Sequence, residues 1–352
     1  MRILHILNDV TNRGNGIVNV AVDVAIEQAR QGHTVAVVSA GGEYEELLRS
    51  SHVAHIRLDQ SRTPFNLLRA GLRLGHMVRG FSPDVVHAHM RTGLLLAAVW
   101  RRILNFALVS HVHNVHERES KLMRFAQCVI VVSDSVGETM QSYGIPCEKI
   151  RVVLNRTLGT PRLAPLAAAE PAPLQHPAIV TVCGLYARKG VAELITAFSA
   201  ITAEFPAAHL YIVGDGPDAA AFHAQAATTP CAARIHFEGF QPNAQKYLRA
   251  ADVFVLASRR ESFALVLIEA RSARCAMIAT SVDGNPQALD YGNAGLLVPP
   301  EDPAALADAL RTMLAGDTAR RDWAQRAQQG MDAFTIQHMA GELHAVYSEL
   351  LP

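Results

Sequence analysis

Two glutamates stand eight residues apart in Arg259-Arg260-Glu261-Ser262-Phe263-Ala264-Leu265-Val266-Leu267-Ile268-Glu269-Ala270. Glu261 falls in a loop after the apolar run Asp252–Ala257. Glu269 falls about two turns into the helical run Ala264–Ala273 that follows. Carboxylates accept hydrogen bonds from hydroxyls, and the first amides of a helix donate to phosphate oxygens. The amides of Phe263, Ala264, Leu265 and Val266 therefore lie between two hydroxyl acceptors. A ligand with both hydroxyls and phosphates, such as a sugar nucleotide, suits this pattern. Two capping glutamates on an ordinary helix fit the spacing equally well.

Other stretches offer weaker chemistry. Asn8-Asp9-Val10-Thr11-Asn12-Arg13-Gly14-Asn15-Gly16 joins an apolar run to a helix from Ile17. Gly14, Asn15 and Gly16 could let backbone amides close on a phosphate there. This is not G-x-G-x-x-G, since position 19 is Asn, which disfavours a nicotinamide cofactor. Cys183-Gly184-Leu185-Tyr186-Ala187-Arg188-Lys189-Gly190 again leads from strand to helix. Lysines number four against 28 arginines, so Lys189 stands out. A cation at a helix start opposes the dipole unless an anion sits between them; a solvated Arg188-Lys189 pair is the plainer alternative. Gly214-Asp215-Gly216-Pro217 by itself reads as a turn. In Pro83-Asp84-Val85-Val86-His87-Ala88-His89 the two histidines share one face of a strand. A metal would need a third ligand, and His111, His113 and His116 follow on the next loop. No cysteine joins them and no H-E-x-x-H helix exists. Substrate contact by His89, with His87 as partly buried packing, is the stronger reading, and no metal site is expected.

These residues need elements that bring them to one end of a sheet. Strand-like runs are Ile3–Leu7, Val35–Ser39, Val85–Ala88, Ala107–His111 and Val129–Val132, interleaved with helical patterns at Gly16–Gln31, Thr63–Arg79 and Ser135–Tyr143. Thr157–Pro177 holds five prolines and reads as a linker. The alternation then restarts with strands Ala178–Cys183, His209–Val213, Arg234–Glu238, Asp252–Ala257 and Met277–Thr280 and helices Gly190–Phe205 and Ala264–Ala273. Pro303–Leu351 is helical in pattern. Continuous apolar strands separated by helices form parallel sheets covered on both faces. The expectation is α/β: two Rossmann-like, doubly wound domains, 1–157 and 158–333, facing a central cleft lined by the loops after the strands.

Half of the 352 residues are apolar and 18% are charged, which excludes an intrinsically disordered chain. No apolar run reaches the ~20 residues of a membrane span, and MRILHILNDV has no cleavage site. Five unpaired cysteines suit a cytoplasmic, reducing location. Net charge is zero, yet residues up to Arg156 hold 18 Lys+Arg against 13 Asp+Glu, and the rest 14 against 19. Ser61–Phe81 carries Arg62, Arg69, Arg73 and Arg79 and no acidic residue, with Leu68, Leu72 and Val78 on one side of its helical wheel. Its apolar side either packs on the sheet or rests on an anionic membrane. No nucleic-acid partner is expected.

Together, Glu261 and Glu269, Lys189-Gly190, Gly214–Pro217 and Pro83–His89 resemble glycosyltransferase family 4 in order and spacing, over nearly the whole chain. The resemblance implies a retaining enzyme of the GT-B fold. Glu269 would then hold the nucleotide ribose, and Glu261 hydroxyls of the donor sugar. The amides of residues 263–266 would meet the sugar and diphosphate, and Lys189 would neutralise the departing diphosphate. His89 would sit near the reacting carbon, Gly14–Gly16 would close on the phosphates, and the base would lie near Phe237–Gln241, with Phe240 among them. The helix within 334–352 would pack back on the first domain. Where the family has G-R-L before its lysine, this chain has Cys183-Gly184-Leu185, so an arginine is missing; Arg188 replaces it only if its side chain turns inward. The family's N-G-x-D reads Asn155-Arg156-Thr157-Leu158.

The implied partners are a nucleotide-sugar donor, a glycan or lipid-linked acceptor, and an anionic membrane surface. The nucleotide sugar is a co-substrate, and no cofactor is expected. With no Asp-x-Asp element, no metal is required to hold the diphosphate. The alternatives are an epimerase, and a sugar-nucleotide-binding protein of this fold without turnover.

Overall fold

The structure, a computed structural model, describes residues 1–12, 14–114, 118–163 and 165–351. The chain begins β1 (Arg2–Ile6), α1 (Gly16–Arg30), β2 (Thr34–Ser39), α2 (Glu45–Ser50), β3 (Ala54–Arg57), α3 (Pro64–Phe81), β4 (Val85–Ala88) and α4 (Arg91–Trp100). It continues β5 (Ala107–Val112), β6 (Cys128–Val131), α5 (Asp134–Ser142), β7 (Ile150–Val152), β8 (Ala178–Val182), α6 (Val191–Ile201), β9 (His209–Val213) and α7 (Ala219–Ala227). It ends β10 (Ile235–Gly239), α8 (Gln245–Ala250), β11 (Val253–Leu256), α9 (Leu265–Ser272), β12 (Ala276–Thr280), α10 (Asn285–Ala288), β13 (Leu296–Val298), α11 (Pro303–Leu314), α12 (Asp317–Ala327) and α13 (Ile336–Leu350).

Two compact units result: Met1–Arg162 with Phe334–Pro352, and Leu163–Ala333. The first holds a parallel sheet in the order β3-β2-β1-β4-β5-β6-β7, the second one in the order β10-β9-β8-β11-β12-β13. Both grow outward from their first strand in two directions, the doubly wound plan. Strands β4, β6 and β11 are buried at every position, as strands covered on both faces must be. In the second unit, Leu194, Ile195 and Phe198 of α6 share a core with Leu310 and Met313 of α11.

Strands β3, β7 and β13, and helices α2, α4, α7, α8 and α10, lie outside the elements read from sequence. Three- and four-residue edge strands leave too little alternation to register, and the nearly all-apolar α4 (RTGLLLAAVW) has no polar face to set a period. The proline-rich stretch holds one 3-10 turn, Leu166–Ala168. It is not a loose linker: Ala172 donates to the Lys246 carbonyl (2.9 Å) and is buried with Tyr211 and Tyr247.

The chain leaves the first unit at Arg162 rather than at 157. Arg162 grips Asp23 of α1 with two 2.8 Å hydrogen bonds, and the Thr160 hydroxyl donates to the same carboxylate. Arg156 is buried and pairs with Glu342 of α13 (2.8 Å). Thr335 caps α13, and fully buried Tyr347 fixes that helix against α1 and β4.

Helix α3 buries a different face from the one its Leu68, Leu72 and Val78 pattern suggests. Ala70, Leu74, Gly75 and Val78 are its buried residues, while Phe65, Leu68 and Leu72 stand 78%, 66% and 61% exposed. Leu68 and Leu72 therefore do not share a side with Val78 and do not pack on the sheet.

Candidate functional site

In the second unit, the loops after β8, β9, β11 and β12 interlock. After β8 the chain winds a 3-10 turn, Ala187–Lys189, before α6. Gly190 joins the two at φ 68°, where a Cβ would lie 1.8 Å from the carbonyl oxygen of Ala257. Glycine alone lets the Lys189 turn press on the β11 loop in this way. Across the same seam the Arg259 amide donates to the Arg188 carbonyl (2.8 Å). Lys189 Nζ thereby reaches Glu261 in a hydrogen-bonded ion pair, their side chains 15% and 13% exposed. Glu261 is fixed from the β12 loop: its amide donates to Asp283 Oδ2 (2.7 Å), and its carbonyl accepts from Gly284 (3.0 Å).

Phe263 and Ala264 are buried beside this pair in sequence, and α9 then opens at Leu265 with no side-chain cap. The first amides of a helix have no intrahelical acceptor, so Leu265 and Val266 present donors and the positive dipole end. Glu269, half-buried, stands about one turn into α9 rather than two, since it lies four residues after Leu265 and a turn takes about 3.6. Gly214 has φ 139°, and a Cβ there would meet the Cys183 carbonyl oxygen at 1.9 Å. It lays the β9 loop flat against the β8 loop, where Leu185 donates to the Asp215 carbonyl (2.9 Å). Arg188 does not turn inward: it is exposed, its guanidinium 5.2 Å from the Tyr186 ring. Phe240 is 50% exposed, and nearby Phe237 stacks on His223 at 3.8 Å.

In the first unit, Gly14 (φ 70°) and Asn15 are exposed, and the Asn15 side chain caps α1 by accepting from the Ile17 amide (3.1 Å). Helix α1 begins at Gly16. Arg13 and His116 lie outside the described residues. Strands β1, β4 and β5 bring five imidazoles together: His5, His87, His89, His111 and His113. His5 is the register partner of His87. Rings stack at 4.4 Å (His87–His89) and 4.0 Å (His111–His113). His5 Nε2 lies 2.8 Å from Gln28 Oε1 and must donate to it; His5 Nδ1 then accepts from His89 Nε2 (3.0 Å), and His89 Nδ1 from His113 Nε2 (3.0 Å). The Tyr347 hydroxyl meets His87 Nδ1 at 2.5 Å.

Burial pushes the His5 pKa down to about 4 and that of His113 to about 3. It holds His87, His89 and His111 well below the usual histidine range, with neighbouring imidazoles adding to the effect. One expectation is corrected here: His87 is fully buried rather than partly so. His89 is 3% exposed, with both ring nitrogens engaged by other histidines.

The model of Glycosyltransferase Family 4 matches residues 14–155, and that of Glycosyl transferases group 1 matches residues 176–316. The chain belongs to glycosyltransferase family 4. The lipopolysaccharide core biosynthesis glycosyltransferase LpsE of Rhizobium meliloti is 26% identical over 283 residues, spanning 80% of this chain and 78% of that protein. A glycogen synthase of Mycobacterium tuberculosis is 29% identical over 305 residues, spanning 80% and 73%. Among solved structures, Anabaena Alr3699/HepE, crystallised with UDP and glucose, superposes with TM-score 0.83 at 19% identity, over 99% of this chain and 100% of that one. The two Rossmann-like units are those of the GT-B fold.

In this glycosyltransferase, the second unit brings Lys189, Glu261 and the start of α9 together. Asp283, which aims Glu261, was not singled out in the sequence. It sits alone in a turn at φ 44°, and its only local signal is the Asp-Gly pair after β12. His5 was missed as well, since one histidine in an apolar first strand looks like core.

Proposed function

We propose that this glycosyltransferase is a retaining enzyme that moves a hexose from a nucleoside diphosphate to a hydroxyl of a glycan or lipid-linked acceptor. The observation that carries the reading is the Lys189–Glu261 pair beside the uncapped start of α9. A sugar nucleotide offers each member a partner: phosphate oxygens for Lys189 and the amides of residues 263–266, sugar hydroxyls for Glu261. Glu269 takes ribose hydroxyls, and the base lies near Phe240. As the C1–O bond to the diphosphate breaks, charge grows where Lys189 and the amides donate, the term that usually dominates such catalysis. The departing phosphate oxygen takes the proton of the acceptor hydroxyl, which attacks from the same face, so the configuration at C1 is kept. The names of the relatives, in lipopolysaccharide core and glycogen synthesis, support a role in bacterial polysaccharide or glycolipid assembly.

Nucleoside diphosphate release from a panel of nucleotide sugars, with and without acceptor, tests the proposal. Acceptor-stimulated release supports it. Binding without release would favour a non-catalytic binder, and a changed sugar without release an epimerase. Glu269→Ala is expected to weaken donor binding by about 1–3 kcal/mol, because hydroxyls buried against it lose their acceptor. Titration calorimetry with the preferred nucleotide sugar checks this, and an unchanged affinity would remove Glu269 from the ribose site.

The acceptor side of the reading extends to a membrane surface. No helix among the described residues is long and apolar enough to cross a membrane. Phe65, Leu68 and Leu72 of α3 are exposed, as are Val99 of α4 and the following Ile103, at 62% and 67%. Arg62, Arg69, Arg73, Arg101 and Arg102 are exposed among them. Apolar side chains ringed by arginine suit the headgroup boundary of an anionic bilayer, each cation contributing about 1 kcal/mol. Co-sedimentation with anionic vesicles at low salt is expected, reduced at high salt and reduced by Leu68→Ser with Leu72→Ser. Equal recovery with neutral and anionic vesicles would count against it.

A further inference from the structure

We propose that His5, His87 and His89 form a binding site for one late first-row transition-metal ion in the first unit, held by three imidazoles and tying β1 to β4. One ring nitrogen from each of the three lies within 4.8 Å of the others. His5 Nδ1 and His89 Nε2 are already 3.0 Å apart. A tetrahedral ion with metal–nitrogen bonds of about 2.0–2.1 Å needs its nitrogens about 3.4 Å apart, so closing the trio takes side-chain shifts of an ångström or so.

The arrangement behind the trio favours ligation over mere packing. A metal-binding histidine characteristically donates its other ring N–H to a fixed acceptor, which sets the tautomer and aims the lone pair. Each member has such an acceptor when the ion is bound: Gln28 Oε1 behind His5 Nε2, the Tyr347 hydroxyl behind His87 Nδ1, and His113 Nε2 behind His89 Nδ1. The His89–His113 hydrogen bond reverses from its metal-free direction as His89 Nε2 gives up its proton to ligate. The nitrogens left over are His5 Nδ1, His87 Nε2 and His89 Nε2. Among the described residues, buried His87 Nε2 has no hydrogen-bond partner at all. A buried polar atom without a partner is costly, and an ion at the trio removes that cost. An all-imidazole set selects zinc, cobalt, nickel or copper over magnesium and calcium, which take oxygen ligands. A second trio, His89, His111 and His113, shares His89, so one ion occupies one trio or the other. Unpartnered nitrogens occur in both trios, His87 Nε2 in the first and both nitrogens of His111 with His113 Nδ1 in the second, so that cost does not choose between them. The first is favoured because each of its members has a polar group behind the ligating nitrogen, whereas none stands behind His111 among the described residues.

The test uses the full chain, stripped with a chelator and titrated with Co²⁺ and then Zn²⁺. The expected result is one Co²⁺ per chain with the visible d–d bands of tetrahedral coordination by the three imidazoles and one water, displaced by Zn²⁺, and a Zn²⁺-dependent rise in the melting temperature. His87→Gln, checked for folding by circular dichroism, is expected to lose the bands. Tyr347→Phe, which keeps the ring and removes the acceptor, is expected to weaken affinity about 10–100-fold. His111→Gln is expected to leave the bands in place; their loss there, with retention in His87→Gln, would move the ion to the second trio and overturn this assignment. Failure of the wild-type chain to bind Co²⁺ at micromolar concentration, or undiminished binding by His87→Gln, would overturn it too.

Discussion

Alanine at Lys189 is expected to lower kcat by about 10²–10³, the usual cost of removing one donor from a site where negative charge develops. The ammonium gains most as the diphosphate departs, so kcat/KM should fall together with kcat. Lys189 also neutralises Glu261, and the pair is mostly buried, so its loss leaves a carboxylate without its cation. Lys189→Ala combined with Glu261→Gln separates the two effects: it relieves the stranded charge but leaves the diphosphate without its cation. A double variant as slow as the Lys189→Ala single, with Glu261→Gln alone markedly faster than both, supports the charge-stabilising role. A rise in KM with unchanged kcat in the single variant would reduce Lys189 to ground-state binding.

The second large effect is on stability in acid. In the metal-free chain, five buried imidazoles have folded-state pKa values below the unfolded value of about 6.5, those of His5 and His113 at about 4 and about 3. Between these values and 6.5 the unfolded chain binds protons that the native chain refuses. Stability is therefore fully present above pH 6.5 and is lost as pH falls toward 4. Each group contributes at most about 1.4 kcal/mol per pH unit, so five contribute up to about 7 kcal/mol per unit. Set against a total of about 5–15 kcal/mol, this predicts loss of the first unit between pH 6.5 and 5. Melting temperature against pH in the presence of chelator, with hydrogen exchange to locate the opening, checks it. A flat profile from pH 7 to 5, or opening that begins in the second unit, would contradict it.

Much of the architecture was legible in the chain. Fully buried parallel strands such as Val85–Ala88 are unbroken apolar runs, and the helices between them keep a helical period, so fold class follows from local pattern alone. Lys189-Gly190 and the two glutamates were legible for a related reason: a helix start and a tight turn demand particular residues at particular offsets. Tertiary structure decided what those patterns leave open. Which strands lie side by side depends on long-range pairing, and only the β1–β4 register sets His5 beside His87. Which face of α3 is buried depends on neighbours far along the chain: Ala70, Leu74, Gly75 and Val78 packed inward while Phe65, Leu68 and Leu72 stayed outside. Lys189 met Glu261, 72 residues away, because Gly190 permits backbone contact with the end of β11. Tyr347 reached His87 because α13 packs on the first unit. Local spacing reports which face or turn a residue occupies, whereas a partner tens or hundreds of residues distant is chosen by close packing of whole elements, which no short window of sequence contains.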